Sequence, residues 1–232
     1  MRKIVITLAV LAVFTVFAAL YFSKASPAAV YNTQSANFII DPGHGGADGG
    51  AVAGDVIESE INLQIALKLD AMMGLFGVPA ILTRDSEDID YPDDADTIRK
   101  MKVADSKARV RLIQNTENAI LVSIHQNKFT SSKAKGAQVF YSKYPGSKEL
   151  ADVVQEYLRV TLDPASEKVP KQIPDSIFLM KDTGCPAILA ECGFISNPSE
   201  RKLLCDPNYQ TKIAAALLAA LLDKKVESKE QS

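Results

Sequence analysis

The chain has 232 residues, a formal net charge of −2 and only two histidines. This length is enough for one domain with a full hydrophobic core. The charge balance excludes the strongly basic class of nucleic-acid-binding proteins. The three cysteines are an odd set without C-x-x-C spacing, so neither a disulfide framework nor a cysteine zinc site is indicated.

The N-terminal segment is expected to place the remainder of the chain outside the cytoplasm. Arg2 and Lys3 precede residues 4–22, a run of 19 residues without a charge. A signal-peptide core has about 7–15 residues, whereas a bilayer span needs roughly 17–25. The length therefore favours an uncleaved anchor. Because Ser23-Lys24-Ala25 is a weak cleavage site, a cleaved signal peptide is the alternative. We divide the chain into an anchor or signal peptide (1–25), a linker (26–36), a globular domain (37–223) and a charged tail (224–232).

A glycine-rich loop follows the first predicted strand of the domain. The strand is the apolar run Phe38–Ile40, and the loop Asp41–Val56 contains six glycines and His44. Glycine lets the backbone approach a ligand closely, and histidine is a frequent catalytic or metal-binding residue. His44 is therefore a candidate for chemistry.

Predicted helices and strands alternate along the rest of the domain. Apolar spacing and capping residues predict helices from Glu58 or Ser59 to Gly74, from Thr97 (with Asp96 as N-cap) to Asn115, over Ser147–Leu162, from Asn197, and over Ile213–Leu222. Strands are predicted at Pro79–Arg84, Ala119–Ile124, Gly136–Tyr141, Ser176–Met180 and Pro186–Ala190, with loops at Asp85–Asp96 and Asp163–Pro174. This alternation predicts a single α/β domain with a mainly parallel central sheet flanked by helices.

Three polar residues come at or just after the ends of predicted strands: His44, His125 and Glu191. Sites in open α/β sheets gather at the carboxyl ends of strands, so we expect these three to meet. A carboxylate at the start of the first helix adds a fourth group, for which Glu58 and Glu60 are equal candidates. Two histidines and one carboxylate leave a zinc ion one open position, and a further carboxylate beside it can act as general base. The competing interpretation is that both histidines are hydrogen-bonded structural residues.

Four motifs, in this order, resemble the zinc-dependent N-acetylmuramoyl-L-alanine amidases of the third amidase type. They are I-D-P-G-H-G-G at 40–46, Glu58 before I-N-L at 61–63, S-I-H-Q-N at 123–127, and P-A-I-L-A-E-C-G-F-I-S-N-P at 186–198. The resemblance covers about Asn37 to Leu222. It implies that His44, Glu58 and His125 bind zinc and that Glu191 is the catalytic glutamate, and it thus prefers Glu58 over Glu60.

The activity that this resemblance implies is hydrolysis of the amide between N-acetylmuramic acid and L-alanine in peptidoglycan. Some members of the family carry an inserted helix that plugs the zinc site. In this chain the short connection after Tyr141 leaves no room for such a helix. This compact organisation is similar to that of the germination-specific, spore-cortex members of the family, which prepare muramic δ-lactam. A regulatory partner protein at the extracytoplasmic membrane surface is then expected. The alternatives are a vegetative autolysin in cell separation, a zinc peptidase that cuts within the stem peptide, and a non-catalytic zinc-containing wall-binding protein.

Some further polar residues are weaker candidates. Asn127 is expected to orient substrate, to support a neighbouring site residue or to form a turn. Arg84 and Arg109 are similar to family positions, and structural ion pairs are the favoured interpretation. Four lysines close to His125 in sequence are candidates for contacts with stem-peptide carboxylates: Lys128, Lys133, Lys135 and Lys143.

Overall fold

The computed structural model describes residues 36–174, 177–181 and 183–223, all within one compact unit. The predicted anchor or signal peptide, nearly all of the predicted linker and the charged tail lie outside the described residues. No helix within the described ranges is long and apolar enough to cross a bilayer. The predicted division of the chain therefore stays a prediction.

A six-stranded sheet forms the centre of the described domain. Its strands are β1 (Asn37–Pro42), β4 (Ile81–Leu82), β5 (Ala119–Asn127), β6 (Gln138–Tyr141), β7 (Lys171–Gln172) and β8 (Ala187–Phe194). Their order across the sheet is β4-β1-β5-β8-β6-β7. Four of the five pairings are parallel, and β6 runs antiparallel to β8. The predicted fold class, α/β with a mainly parallel sheet, is confirmed.

Helices cover both faces of this sheet. They are α1 (Glu58–Leu75), α2 (Ile98–Gln114), α3 (Ser147–Leu162), α4 (Phe178–Lys181), α5 (Pro198–Leu204) and α6 (Pro207–Leu221). Because side chains alternate along a strand, Ile40 of β1 joins the larger core with α1, α3 and α6. Its neighbour Ile39 joins a smaller core on the other face, with Ile113 of α2. This double burial explains the nearly continuous apolar run of β5.

Several short elements differ from the sequence-based prediction. The strand predicted at Ser176–Met180 is wrong, because residues 178–181 form the short helix α4. The edge of the sheet beside β6 is instead taken by β7, which lies inside the predicted loop Asp163–Pro174. A two-stranded antiparallel sheet, β2 (Val52–Ala53) with β3 (Val56–Ile57), forms at the end of the glycine loop, where no strand was predicted. Two-residue strands depend on pairing with distant residues, so they carry no periodic signal of their own.

Boundaries near the ends of longer elements also shift. Thr97, not Asp96, caps α2, because its side chain accepts a hydrogen bond from Lys100 N. Helix α6 begins at Pro207, six residues before the predicted start. Strands β5 and β8 continue past their predicted ends, so His125 and Glu191 lie within the strands near their carboxyl ends.

Candidate active site

His44 lies in the loop that follows β1, and its backbone has a φ of 63°. This left-handed conformation costs a residue other than glycine roughly 1–2 kcal/mol. Two glycines make room for His44 and for the side chains that approach it. A Cβ atom at Gly43 would lie 2.2 Å from the His125 ring, and one at Gly50 would lie 2.6 Å from both the His44 ring and Glu58 Oε2. Glycine is therefore required where these three side chains approach one another.

Two buried arginines hold the backbone of this loop. Arg109 donates hydrogen bonds to the carbonyl oxygens of Pro42 at 2.8 Å and His44 at 2.7 Å. Arg84 donates to the carbonyl oxygens of Pro42 at 3.0 Å and Gly43 at 3.2 Å. Three consecutive carbonyl groups thus have guanidinium partners, which offset the cost of the left-handed His44.

Asp41 is the buried counter-charge of this arrangement. It is fully buried and accepts hydrogen bonds from three side chains: Arg109 at 2.7 Å, Thr83 at 2.7 Å and Ser123 at 2.6 Å. Burial alone would raise its pKa, but Arg109 and the two hydroxyl groups lower the pKa to about 2. Arg84 also forms an ion pair, with Glu87 at 3.2 Å. The ion pairs predicted for both arginines are confirmed.

The sheet places His125 and Glu191 side by side. His125 lies on β5 directly opposite Glu191 on β8 in the parallel register. Strand β1, on the other side of β5, ends at Pro42, two residues before His44. Neighbouring parallel strands thus bring these three side chains to one edge of the sheet, as the sequence predicts.

Glu58 reaches the same edge from the first turn of α1. Its side chain is buried, whereas Glu60 is exposed to solvent. Glu58 Oε1 accepts a hydrogen bond from Gln126 N at 3.1 Å, and Oε2 accepts one from Ala51 N at 2.8 Å. The structure thus brings Glu58, and not Glu60, to the histidines.

The charge state of Glu58 follows from its neighbours. Burial would raise its pKa, but the hydrogen bond with His125 and the nearby His44 lower the pKa to about 2. Asn62, one turn further along α1, donates a hydrogen bond to Oε1 at 3.3 Å. Glu58 is therefore an oriented, ionised carboxylate at neutral pH.

His44, Glu58 and His125 form one group whose ligand atoms all lie within 4.8 Å of one another. Glu58 Oε1 lies 2.9 Å from His125 Nδ1 and 3.5 Å from His44 Nε2. Two ligand atoms about 2.0–2.1 Å from a tetrahedral zinc ion lie roughly 3.4 Å apart. Two imidazoles and one carboxylate are also a donor set that zinc uses in hydrolases. The three residues therefore fit a divalent metal such as zinc and leave one position open.

Glu191 differs from Glu58 because one of its two carboxylate oxygens lacks a hydrogen-bond partner among the described residues. Its Oε2 atom is buried and has no hydrogen-bond partner among the described residues. Burial raises the pKa of Glu191 to about 7, against the lowering effect of His125. Buried polar atoms without a partner are rare and costly. A carboxyl group that exchanges its proton near neutral pH is suited to general acid and base chemistry.

These side chains line an open cleft of about 440 Å³. An apolar part of its lining includes Ile177 and Phe178, which are 40% and 54% exposed. Of the lysines singled out in the sequence, Lys128 lines this cleft, whereas Lys143 lines a separate cavity. A larger cavity of about 530 Å³, between α2 and residues 89–95, contains none of the predicted site residues.

This arrangement of site and sheet has a counterpart among known proteins. The family model of N-acetylmuramoyl-L-alanine amidases matches residues 38–223 of the chain. The chain belongs to this family. Enzymes of the family are hydrolases, and the described domain of this amidase is nearly coextensive with the match.

Individual relatives agree with the family assignment. The germination-specific N-acetylmuramoyl-L-alanine amidase of Bacillus subtilis (strain 168) is 38% identical over 184 residues, which are 79% of this chain and 77% of that protein. The CwlD amidase from Clostridioides difficile, solved in complex with the GerS lipoprotein, is 40% identical with a TM-score of 0.77, over 80% of this chain and 95% of that one. An N-acetylmuramoyl-L-alanine amidase from Clostridium difficile 630 is 29% identical with a TM-score of 0.70, over 84% of this chain and 99% of that one.

Sequence reasoning missed the residues that support the candidate metal ligands. Asp48 contacts His44 from four residues further along the loop, and Asn62 contacts Glu58 from one helical turn further along. Both spacings are local and were readable in the sequence. Lys102, which pairs with Asp48 across 54 residues, had no local signal.

Proposed function

We propose that this amidase hydrolyses the bond between N-acetylmuramic acid and L-alanine in peptidoglycan, with zinc held by His44, Glu58 and His125. Glu191 serves as general base and then as general acid. The observation that carries the proposal is the Glu191 carboxylate, whose Oε2 atom is buried without a hydrogen-bond partner among the described residues, beside a group of three side chains that can hold a metal ion.

The reaction needs help at both atoms of the amide, because its carbonyl carbon is unreactive and its nitrogen is a poor leaving group. Zinc in this site would supply a lowered pKa for bound water and polarisation of the amide carbonyl. Glu191 takes the proton of the attacking water and passes it to the departing amine of L-alanine. A pKa raised towards neutrality by burial suits a group that must both accept and release this proton.

The shape of the cleft supports a large substrate that is partly apolar and partly anionic. The cleft is open to solvent, and its apolar wall at Ile177 and Phe178 offers packing surface for sugar and peptide. Lys128 lines the same cleft. A cleft that is open to solvent can accept a glycan strand with its stem peptide.

We propose the spore cortex as the setting, with muramic δ-lactam formation as the outcome. The support is the 38% identity to a germination-specific amidase over most of both chains. The related CwlD amidase forms a complex with a lipoprotein, which supports a regulatory partner for this chain too. The charge-free run at residues 4–22 supports action at the extracytoplasmic face of the membrane.

Mass analysis of peptidoglycan fragments tests this function. Zinc-loaded protein should release peptides that begin with a free L-alanine amino group and leave the glycan strands intact. Cuts within the stem peptide would point to a peptidase instead. Binding to the wall without any released fragment would point to a non-catalytic wall-binding protein. Expression confined to vegetative growth would contradict the spore-cortex setting alone.

A further inference from the structure

We infer that one face of helix α2 positions His44, through Lys102 and Asp48 at its ring and through Arg109 at its backbone. These three are positioning residues and do not themselves bind metal. The inference rests on the proposed role of His44 as a metal ligand.

Asp48 determines which ring nitrogen of His44 is available. Its Oδ2 atom lies 2.9 Å from His44 Nδ1. An ionised carboxylate only accepts hydrogen bonds, so Nδ1 must carry the proton. In the neutral ring, which is the form that binds a metal, the lone pair is then on Nε2, the nitrogen that lies 3.5 Å from Glu58 Oε1. Such carboxylate partners commonly fix the tautomer and ring orientation of metal-binding histidines.

The other oxygen of Asp48 is held by different groups. Oδ1 accepts a hydrogen bond from Gly50 N at 3.1 Å and pairs with Lys102 Nζ at 2.8 Å. The backbone of Asp48 is fixed as well, because its N–H and C=O groups both bond with Gly45, at 3.0 and 2.8 Å. Each carboxylate oxygen thus has its own role, and Lys102 limits rotation of the group that orients His44.

Arg109 acts on the backbone of the same histidine. Its Nη2 atom donates to the His44 carbonyl at 2.7 Å. Asp105 accepts from Arg109 Nε at 3.0 and 3.1 Å and so fixes the plane of the guanidinium. Lys102 and Arg109 are seven residues apart, about two helical turns, so they project from the same face of α2. One helix face therefore holds both the ring and the carbonyl group of His44.

The other two proposed ligands are supported from elsewhere. Glu58 is held by Ala51, Asn62 and Gln126, and His125 is part of the central strand β5. Within α2 only Arg109 and Ile113 are buried. A change at Lys102 should therefore alter His44 without disturbing the other ligands or the core.

Zinc affinity of the full-length protein, measured by competition with a chelator, tests this inference. Asp48→Asn should weaken zinc binding roughly 10- to 100-fold. Lys102→Gln should weaken it about two- to fivefold, as expected for a partly exposed ion pair. In the Asp48→Asn background, Lys102→Gln should have no further effect. Lys100→Gln, on the same helix with an exposed ion pair to Asp96, is the matched control and should bind zinc like the wild type.

Cobalt substitution gives a second readout besides activity. The visible spectrum of the Co²⁺ protein should change in Asp48→Asn, because the His44 ring is no longer held in one orientation. Arg109→Lys should also weaken zinc binding, and the melting temperature of the metal-free variant shows whether it is folded. If Arg109→Lys does not fold, the zinc affinities of the Asp48 and Lys102 variants decide whether the inference holds.

Two results would overturn the inference. One is an unchanged zinc affinity in Asp48→Asn. The other is a loss of zinc affinity on Lys102→Gln that is the same in the wild type and in the Asp48→Asn variant, since Lys102 would then not act through Asp48. His44→Ala separates this failure from that of the proposed function. If His44→Ala loses zinc while Asp48→Asn retains it, only the positioning role is wrong. If His44→Ala retains full zinc affinity, the proposed ligand set is wrong as well.

Discussion

His125 on β5 and Glu191 on β8 are direct neighbours in the parallel register of the central sheet. The first is hydrogen-bonded to Glu58, and the second has a buried oxygen without a partner among the described residues. The same sheet edge thus holds an ionised carboxylate, with a pKa of about 2, and a carboxyl group with a pKa of about 7. Such a difference between the pKa values of two nearby carboxyl groups is typical of sites where one group stays charged and the other exchanges protons.

The first prediction concerns the pH dependence of turnover. Glu191 must be deprotonated to accept a proton from water, so activity should fall as the pH falls through its pKa. Burial raises that pKa from 4.5 to about 7 in the metal-free protein, and a bound cation favours the charged form and lowers it. The acid limb of kcat should therefore lie between pH 4.5 and 7. A rate that stays constant down to pH 4 with zinc still bound would contradict the role of Glu191.

The second prediction concerns stability in acid. The pKa of Asp41 is about 2 in the folded protein, below its ordinary value of 3.8. A lowered pKa stabilises the fold above pH 3.8, and this contribution is lost as the pH falls towards 2. This contribution of Asp41 to the free energy of unfolding is about 2 kcal/mol. The Asp41 carboxyl should titrate near pH 2 by NMR, and Thr83→Val, which removes one donor, should raise that midpoint. Titration near pH 3.8 in the folded protein would contradict the buried ion pair with Arg109.

The third prediction compares two glycines that share a left-handed backbone. Gly50 and Gly54 have φ values of 70° and 65°, so alanine should cost each position roughly 1–2 kcal/mol of strain. A Cβ at position 50 would lie 2.6 Å from Glu58 Oε2 and the His44 ring, whereas one at position 54 meets nothing within 4 Å. Gly50→Ala should lose zinc binding, and Gly54→Ala should keep it. Equal zinc affinity in the two variants, measured by chelator competition, would show that the close approach is not needed.

Much of the fold was predictable because its signals are local. The apolar run of β5 and the apolar repeat of α1 mark elements whose faces are buried. The carboxyl-end rule for parallel strands brought His44, His125 and Glu191 together without any knowledge of contacts. The local sequence alone did not distinguish Glu58 from Glu60. The choice between them depends on the end of the glycine loop just before β2, where Ala51 N donates a hydrogen bond to the Glu58 carboxylate.

The incorrect and missing predictions have a common physical reason. Helix α4 was predicted as a strand from its apolar residues, yet its place in the sheet is taken by the polar strand β7. Whether such a segment pairs depends on which sheet edge is free, and that is set by the whole chain. The support of His44 by Lys102 and Arg109 is likewise a contact between distant parts of the sequence, which a single sequence does not reveal.

The assignment of Glu191 as the proton-transferring residue is tested most directly by Glu191→Gln. The amide keeps the size of the side chain but cannot take a proton from water, so zinc should remain bound while kcat falls at least about 100-fold. Glu60→Gln, an exposed carboxylate in the first turn of α1, is the matched control and should keep both zinc and activity. Zinc content and release of L-alanine-terminated peptides are measured on the same samples. Full turnover in Glu191→Gln with zinc bound would contradict the proposed mechanism.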